Sequence, residues 1–332
     1  MKLPILLKLI GILIILVIVS GFIFEKSYKY PSQIKFGVTF SPRYARYLKL
    51  DWQSTYLQVL DELKVKNLRI PSYWNSLEPA EAKYDFADTD FMLSEAAKRG
   101  ARAILVLGIR QPRWPECHIP NWAKKLTVKQ RQQASLDFTK EIIKRYKDNV
   151  SIWAWQLENE PLMSYFGQEC DPYDADFLKA ELNLVKSLDN KPIILTDSGE
   201  LGDWVIPIRL SDILGISVYR TTYNSFLGYK TYPLTPSLYK LKELLVKRLA
   251  GQPSQQTIIT ELQTEPWLSD DDADASFQRQ HQLFSEDKLK ENIEFAKKTG
   301  FDEVYLWGVE WWYAMDKQGY PGYLDYAKAL FR

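Results

Sequence analysis

Two stretches of the sequence end an apolar run in a carboxylate. "WQLENEP", from Trp155 to Pro161, reads as a strand that closes in Glu158 and Glu160, and "TIITE" closes in Glu261. A charge at the end of a buried strand is costly unless it is paired or used. Two carboxylates across one cleft can split a glycosidic bond, because one protonates the leaving oxygen while the other attacks the anomeric carbon. We take Glu160 as the candidate acid and Glu261 as the candidate nucleophile.

Other strand ends carry groups that would support this chemistry. Arg69 in "NLRIP" and Tyr219 in "ILGISVY" could donate to Glu261 and favour its ionised form. Asn159 could donate to the sugar hydroxyl next to the reacting carbon. Trp307 offers a flat apolar face for a sugar ring.

Loops next to these strand ends supply further candidates. Trp74 and Glu310 lie in such loops and are expected to contact substrate, whereas Glu265 is expected to be a loop residue near the cleft. For Trp74 there is a second interpretation, in which large loops pack on one another through aromatic clusters. We expect neither a metal nor an organic cofactor at this site.

The elements that position these residues alternate strands with helices. Eight β-rich runs are separated by mostly amphipathic stretches: "IKFGVTF", "NLRIP", "RAILVLG", "SIWAWQLEN", "PIILT", "ILGISVY", "TIITE" and "EVYLWG". Short continuous apolar strands in this number predict an α/β fold, a closed (β/α)8 TIM barrel, whose catalytic residues follow the strands at one mouth. No glycine-rich dinucleotide fingerprint follows the first strand.

Several helix boundaries can be predicted from end signals. Thr127 and Gln130 form a capping box, and Thr235 with Pro236 starts a helix. That helix carries an apolar row at helical spacing: Leu238, Leu241, Leu245 and Leu249. The fifth connection, "DWVIPIRLSD", has room for little more than a turn or two of helix.

Charge and hydropathy divide the chain into three parts. Residues 1–26 form an apolar run long enough to approach a bilayer span, 27–33 a linker, and 34–332 the catalytic domain. Positive charge precedes the run, so we expect a single-pass anchor in the lipid bilayer with the domain extracytoplasmic; a cleaved signal peptide and a secreted protein are the alternative. With 43 basic and 42 acidic residues, no nucleic-acid partner is expected.

Cys117 and Cys170 are the two cysteines of the chain. In an exported protein such a pair can form a disulfide, and they fall in the loops after neighbouring strands three and four. Two unrelated buried thiols are the alternative.

Together the motifs resemble the clan A glycoside hydrolases, the retaining (β/α)8 superfamily of cellulase-type enzymes and β-galactosidases. "NEP" at Asn159–Pro161, "TELQ" around Glu261, Arg69 and Trp307 carry the likeness over roughly residues 34 to 332. Two features depart from the cellulase-type pattern: Ser217 stands where a histidine is usual, two residues before Tyr219, and the end of strand three lacks a histidine.

The resemblance implies a retaining β-glycosidase with Glu160 as acid/base and Glu261 as nucleophile, and it makes Glu158 a structural carboxylate. The expected partner is a β-linked oligo- or polysaccharide. The alternative is a catalytically silent barrel that binds glycans at the cell surface. Retention of Arg69, Asn159 and Tyr219 beside both carboxylates favours the enzyme, because binding alone would not require this set.

Overall fold

The computed structural model describes residues 31, 33–163, 166–269, 272 and 274–332. The predicted anchor over 1–26 and most of the linker over 27–33 therefore lie outside the described residues. Within the described ranges, no helix is both long enough and apolar enough to cross a bilayer.

Eight parallel strands close into a barrel, which confirms the predicted fold. The strands of the ring are β1 (Lys35–Thr39), β2 (Asn67–Pro71), β3 (Arg102–Leu107), β4 (Ile152–Leu157), β5 (Ile193–Ser198), β6 (Ile213–Val218), β9 (Gln256–Gln263) and β10 (Glu303–Trp307). They follow one another around the ring in this order, and β10 pairs with β1 to close it. Each lies within a residue or two of the run predicted for it.

The strands are almost continuously apolar because both of their faces are covered. In β3 every residue after Arg102 is buried. One small apolar cluster draws its members from six strands around the ring, so it fills the barrel interior: Ile104, Ala154, Ile194, Ile213, Ile258 and Tyr305. The larger core lies between the barrel and the surrounding helices.

Helices cover the outside of the barrel and extend some of its loops. In chain order they are α1 (Pro42–Tyr47), α2 (Trp52–Asp61), α3 (Trp74–Leu77), α4 (Ala87–Lys98), α5 (Val128–Tyr146), α6 (Ala175–Leu188), α7 (Val205–Leu210), α8 (Pro236–Ala250), α9 (Phe277–Leu283), α10 (Glu286–Lys297), α11 (Val309–Lys317) and α12 (Gly322–Leu330). The capping box of Thr127 and Gln130 is present at the start of α5. The fifth connection is the six-residue helix α7, as its sequence predicts.

The helix predicted to start at Thr235 and Pro236 is confirmed as α8, but its row of leucines is only partly covered. Leu245 and Leu249 are 54% and 79% exposed. The buried side of the helix instead carries Tyr239, Glu243 and Lys247, which repeat every four residues. Glu243 and Lys247 can be buried because they form an ion pair with each other.

A two-stranded hairpin, which the sequence reading missed, follows β6. Its strands β7 (Thr221–Asn224) and β8 (Gly228–Thr231) pair antiparallel and lie outside the barrel ring. Both are short and polar, so they lack the apolar run by which the other strands were recognised.

Candidate active site

The end of β4 turns sharply and presents two carboxylates in different directions. Glu158 and Glu160 both have a positive φ, 56° and 45°. Glu158 accepts hydrogen bonds from the backbone N–H groups of Ile109 and Arg110 at 2.8 and 2.6 Å. It therefore ties the loop after β3 to the end of β4, which is the structural role expected for it.

Glu160 is buried beside a hydroxyl group. Its backbone N–H donates to Thr196 Oγ1 at 2.8 Å, and the Ser217 hydroxyl donates to its carboxyl Oε1. Burial, and then the charge of Glu261, raise the pKa of Glu160 well above its ordinary value, while the hydrogen bond from Ser217 acts in the opposite direction. Glu160 is thus suited to keep its proton to a higher pH than an ordinary glutamate does.

Glu261 lies in β9 with both carboxylate oxygens held. Arg69 Nη1 is 2.6 Å from Oε1, and the Tyr219 hydroxyl donates to Oε2 at 2.8 Å. Ser217, which contacts Glu160, is the residue of β6 paired with Glu261. The two predicted carboxylates therefore share a neighbour and face the same space.

Arg69 joins three strands through one guanidinium. Its Nε donates to Gln156 Oε1 and its Nη2 to Asn159 Oδ1, each at 2.7 Å, while Nη1 pairs with Glu261. Arg69 is fully buried, so these contacts fix the positions of their acceptors. The structure brings together four of the predicted residues here: Arg69, Asn159, Tyr219 and Glu261.

A third buried carboxylate, Glu116, also reaches this network. Its Oε2 accepts a hydrogen bond from Asn159 Nδ2 at 3.0 Å. Burial, and then the charge of Glu261, raise the pKa of Glu116 to about 8. Sequence reasoning missed Glu116; its one signal is that it immediately precedes Cys117.

The predicted disulfide is confirmed. Cys117 and Cys170 are bonded, with a Cα–Cα distance of 5.3 Å. The bridge joins the loop after β3 to the loop after β4. It also anchors the backbone beside Glu116.

Trp307 ends β10 and is 7% exposed. The guanidinium carbon of Arg113 lies 4.1 Å from its ring centroid, and the ring of Tyr219 lies 6.4 Å away. Trp307 is therefore at the mouth as predicted, but one of its faces is already covered by Arg113.

Two predicted substrate contacts need correction. Trp74 has no exposed surface: its ring stacks on Phe138 at 5.8 Å and its Nε1 donates to Glu78. Glu310 is also fully buried, where Arg113 Nη2 and the backbone N–H of Ser41 donate to it. Burial raises the pKa of Glu310 to about 7, and Arg113 opposes that rise. Both positions were placed near the mouth from their loops alone, and neither presents surface to a substrate.

Partly exposed aromatic rings line another part of the mouth. Trp114, 55% exposed, contacts Phe166; Phe166 contacts Trp267; and Trp267 contacts Tyr219, with ring centroids 5.7, 5.7 and 5.3 Å apart.

Across the described ranges, no group of three or more histidine, cysteine, aspartate or glutamate side chains is arranged to hold a metal ion.

The fold is a (β/α)8 barrel with two carboxylates at its mouth. One carboxylate is suited to carry a proton and the other is held by an arginine and a tyrosine. This combination is typical of glycoside hydrolases. The family model for cellulase (glycosyl hydrolase family 5) matches residues 34–212, more than half of the chain. The chain belongs to this family, which confirms the predicted likeness to clan A glycoside hydrolases.

Curated relatives match over a shorter region. The β-galactosidases LacZ and LacA of Lactobacillus acidophilus are each 24% identical in an alignment 201 residues long that covers 53% of this chain. The chain matches them over 30% of their own length.

Solved structures share the fold. A GH5_18 protein from Bifidobacterium longum subsp. longum superposes with a TM-score of 0.58 at 15% identity, over 83% of this chain and 70% of that chain. A variant of it in complex with Manb1-4GlcNAc gives 0.56 at 15% identity, over 83% and 69%. A family 10 endo-beta-1,4-xylanase from Gloeophyllum trabeum gives 0.57 at 12% identity, over 91% and 97%.

Proposed function

We propose that the protein is a retaining β-glycosidase in which Glu160 is the acid/base and Glu261 the nucleophile. The observation that carries this proposal is the different environment of the two carboxylates. Glu261 accepts hydrogen bonds from Arg69 and Tyr219 on its two oxygens, whereas burial raises the pKa of Glu160 well above its ordinary value. Such a pair supplies one nucleophile and one acid.

In the first step a Glu261 oxygen attacks the anomeric carbon as the bond to the leaving oxygen breaks. Glu160 gives its proton to that oxygen, so the alcohol departs neutral and the sugar stays esterified to Glu261. In the second step Glu160 takes a proton from water, and the water oxygen displaces Glu261 from carbon. Two inversions leave the released sugar in its original β configuration.

Neighbouring groups hold the sugar for both steps. The amide of Asn159 accepts a hydrogen bond from Arg69 and donates one to Glu116, so it belongs to the same network as Glu261. There it can donate to a sugar hydroxyl in a contact that strengthens as charge develops. The face of Trp307 turned away from Arg113 is the stacking surface for the ring.

The substrate we propose is a β-linked oligo- or polysaccharide. Support comes from the similar proteins, since β-galactosidase, endo-beta-1,4-xylanase and the bound Manb1-4GlcNAc all involve β linkages. The partly exposed rings of Trp114 and Trp267 provide apolar surface of the kind that sugars stack on.

A panel of 4-nitrophenyl β-glycosides and β-linked polysaccharides, assayed with the full chain, tests this function. We expect hydrolysis of at least one β-glycoside, and loss of that activity by several orders of magnitude in Glu261→Gln. For a substrate with a poor leaving group, Glu160→Gln should also remove the alkaline limb of the rate profile. Glycan binding without any hydrolysis would instead support the catalytically silent barrel.

We also propose that the catalytic domain is extracytoplasmic and anchored in the membrane by residues 1–26. The support is the positive charge before that apolar run and the Cys117–Cys170 disulfide, a bond that persists in oxidising compartments. Protease added to intact cells should digest the domain, and the intact chain should stay with membranes after a high-salt wash. A shortened chain released into the medium would favour the signal peptide.

A further inference from the structure

One arginine spans the mouth of the barrel. Arg113 belongs to the loop after β3, yet its guanidinium lies between the rings of Tyr44 and Trp307, 3.6 and 4.1 Å from their centroids. It pairs with Glu310 Oε2 at 3.1 Å and with Glu265. A residue from one side of the barrel therefore holds together loops that follow β1, β9 and β10.

Arg113, Glu265 and Glu310, with the rings of Tyr44 and Trp307, are called the Arg113 cluster below. The barrel topology shows which half of a substrate lies next to it. β4 and β10 stand opposite each other in the eight-stranded ring. Glu160, after β4, must protonate the leaving oxygen, so the leaving group lies on the β4 side. The sugars on the other side of the scissile bond then extend toward β10, where Trp307 and the Arg113 cluster stand.

The charged side chains of the Arg113 cluster are closed to solvent, whereas the leaving-group side of the mouth has exposed aromatic surface. Arg113, Glu265 and Glu310 are all buried. Trp114, next in the chain to Arg113, is 55% exposed and contacts Phe166 on the loop after β4. To admit a second sugar beyond Trp307, Arg113 would have to leave two buried carboxylates without their counter-charge, which is strongly unfavourable.

From these contacts we propose that the enzyme is exo-acting: the site holds a single sugar on the nucleophile side of the scissile bond, and Arg113 closes the space beyond it. The substrate class is thus a glycan with a free non-reducing end, from which one monosaccharide is released per turnover. This inference rests on the proposed hydrolysis by Glu160 and Glu261.

Blocked substrates test it in the unmodified full chain. The probes are 4-nitrophenyl β-mannoside, β-galactoside and β-glucoside and the matching β-1,4-linked disaccharide glycosides, with the terminal sugar either free or carrying a 4,6-O-benzylidene group. We expect the block to slow nitrophenol release at least a hundredfold, and a monosaccharide to be the first sugar product from the free disaccharide glycoside. Equal rates for blocked and free disaccharide glycosides, or a disaccharide as first product, would overturn exo action. Cleavage of a β-linked polysaccharide without hydrolysis of any free probe would also overturn exo action. No hydrolysis of either kind of substrate would defeat the proposed function itself, and this inference with it.

A triple variant tests the part assigned to Arg113. Arg113→Met with Glu265→Gln and Glu310→Gln removes the charge together with both partners, so no buried carboxylate is left unpaired. Blocked disaccharide glycosides should then be cleaved at least tenfold faster relative to free ones. Arg145→Met, which breaks the surface pair of Arg145 with Asp90, is the matched control. It should leave the ratio of the rates for free and blocked disaccharide glycosides unchanged. An unchanged rate ratio in a folded triple variant would contradict the assignment to Arg113. If that variant does not fold, the blocked substrates tested on the unmodified chain decide whether the enzyme is exo-acting.

Discussion

Arg69 and Glu261 form a buried ion pair, 2.6 Å from Nη1 to Oε1, between residues 192 positions apart in the chain. The same guanidinium also donates to Gln156 and Asn159. One side chain on β2 therefore sets the position of the proposed nucleophile and of the amide beside it.

Replacing Arg69 by lysine separates its charge from its geometry. Arg69→Lys retains a cation near Glu261 but cannot donate to all three acceptors at once. We expect kcat/KM to fall by roughly a hundredfold or more, because donors that hold transition-state contacts are lost. A variant with near-normal kcat/KM on the best aryl glycoside would show that the charge alone suffices.

Ser217→Ala should move the alkaline limb of the pH–rate profile to higher pH. The Ser217 hydroxyl donates to the Glu160 carboxyl and so favours its ionised form, which lowers the pKa of Glu160. Without that hydroxyl the pKa of Glu160 rises, and the acid keeps its proton to a higher pH. The measurement is kcat/KM against pH, with Ser217→Thr as the control that retains a hydroxyl. A limb that stays in place or moves to lower pH would contradict the assignment of the limb to Glu160.

Removing the disulfide should cost both stability and activity. The bridge closes a loop of 53 residues, for which the chain-entropy model gives about 4 kcal/mol. Cys117→Ser with Cys170→Ser should lower the free energy of unfolding by about that amount, measured by denaturant titration. It should also lower kcat, because Glu116 is anchored beside Cys117. An unchanged unfolding midpoint, or two free thiols in the protein isolated without reductant, would contradict this.

The strand ends could be predicted from the sequence because a parallel barrel couples a simple pattern to position. Each buried strand is a mostly apolar run, and a polar residue at or near its carboxyl end falls at the mouth, which is why Arg69, Glu160 and Glu261 could be predicted. Ser217 was noticed only through the family resemblance, as a residue that stands where a histidine is usual. Its hydrogen bond to Glu160 depends on how β6 lies between its neighbours.

The loop residues could not be predicted in this way. Glu116 and Arg113 reach the site from a loop whose path is set by the disulfide, by Arg110 contacts to Asn159 and Phe166 backbone carbonyls, and by partners distant in sequence. No local period encodes such a path. Trp74 follows closely after β2 in the sequence, which placed it near the mouth, but that position did not reveal that its ring is buried against Phe138.

Glu261→Ala should abolish turnover by several orders of magnitude and should be rescued in part by azide. The small anion enters the space left by the carboxylate and attacks the anomeric carbon, so the product is a glycosyl azide of α configuration. The check is azide-dependent nitrophenol release, with product configuration read by NMR. Glu261→Gln, which keeps the space filled, serves as the control and should respond little. Equal rescue of both variants, or a β-azide, would count against Glu261 as nucleophile.

The stereochemistry of the unmodified enzyme tests the central claim most directly. Proton NMR of the first-formed sugar, recorded before mutarotation, distinguishes the α from the β anomer. Two displacements at one carbon, first by Glu261 and then by water activated by Glu160, predict the β anomer. An initial α anomer would mean a single displacement by water, and the role of Glu261 as nucleophile would be contradicted.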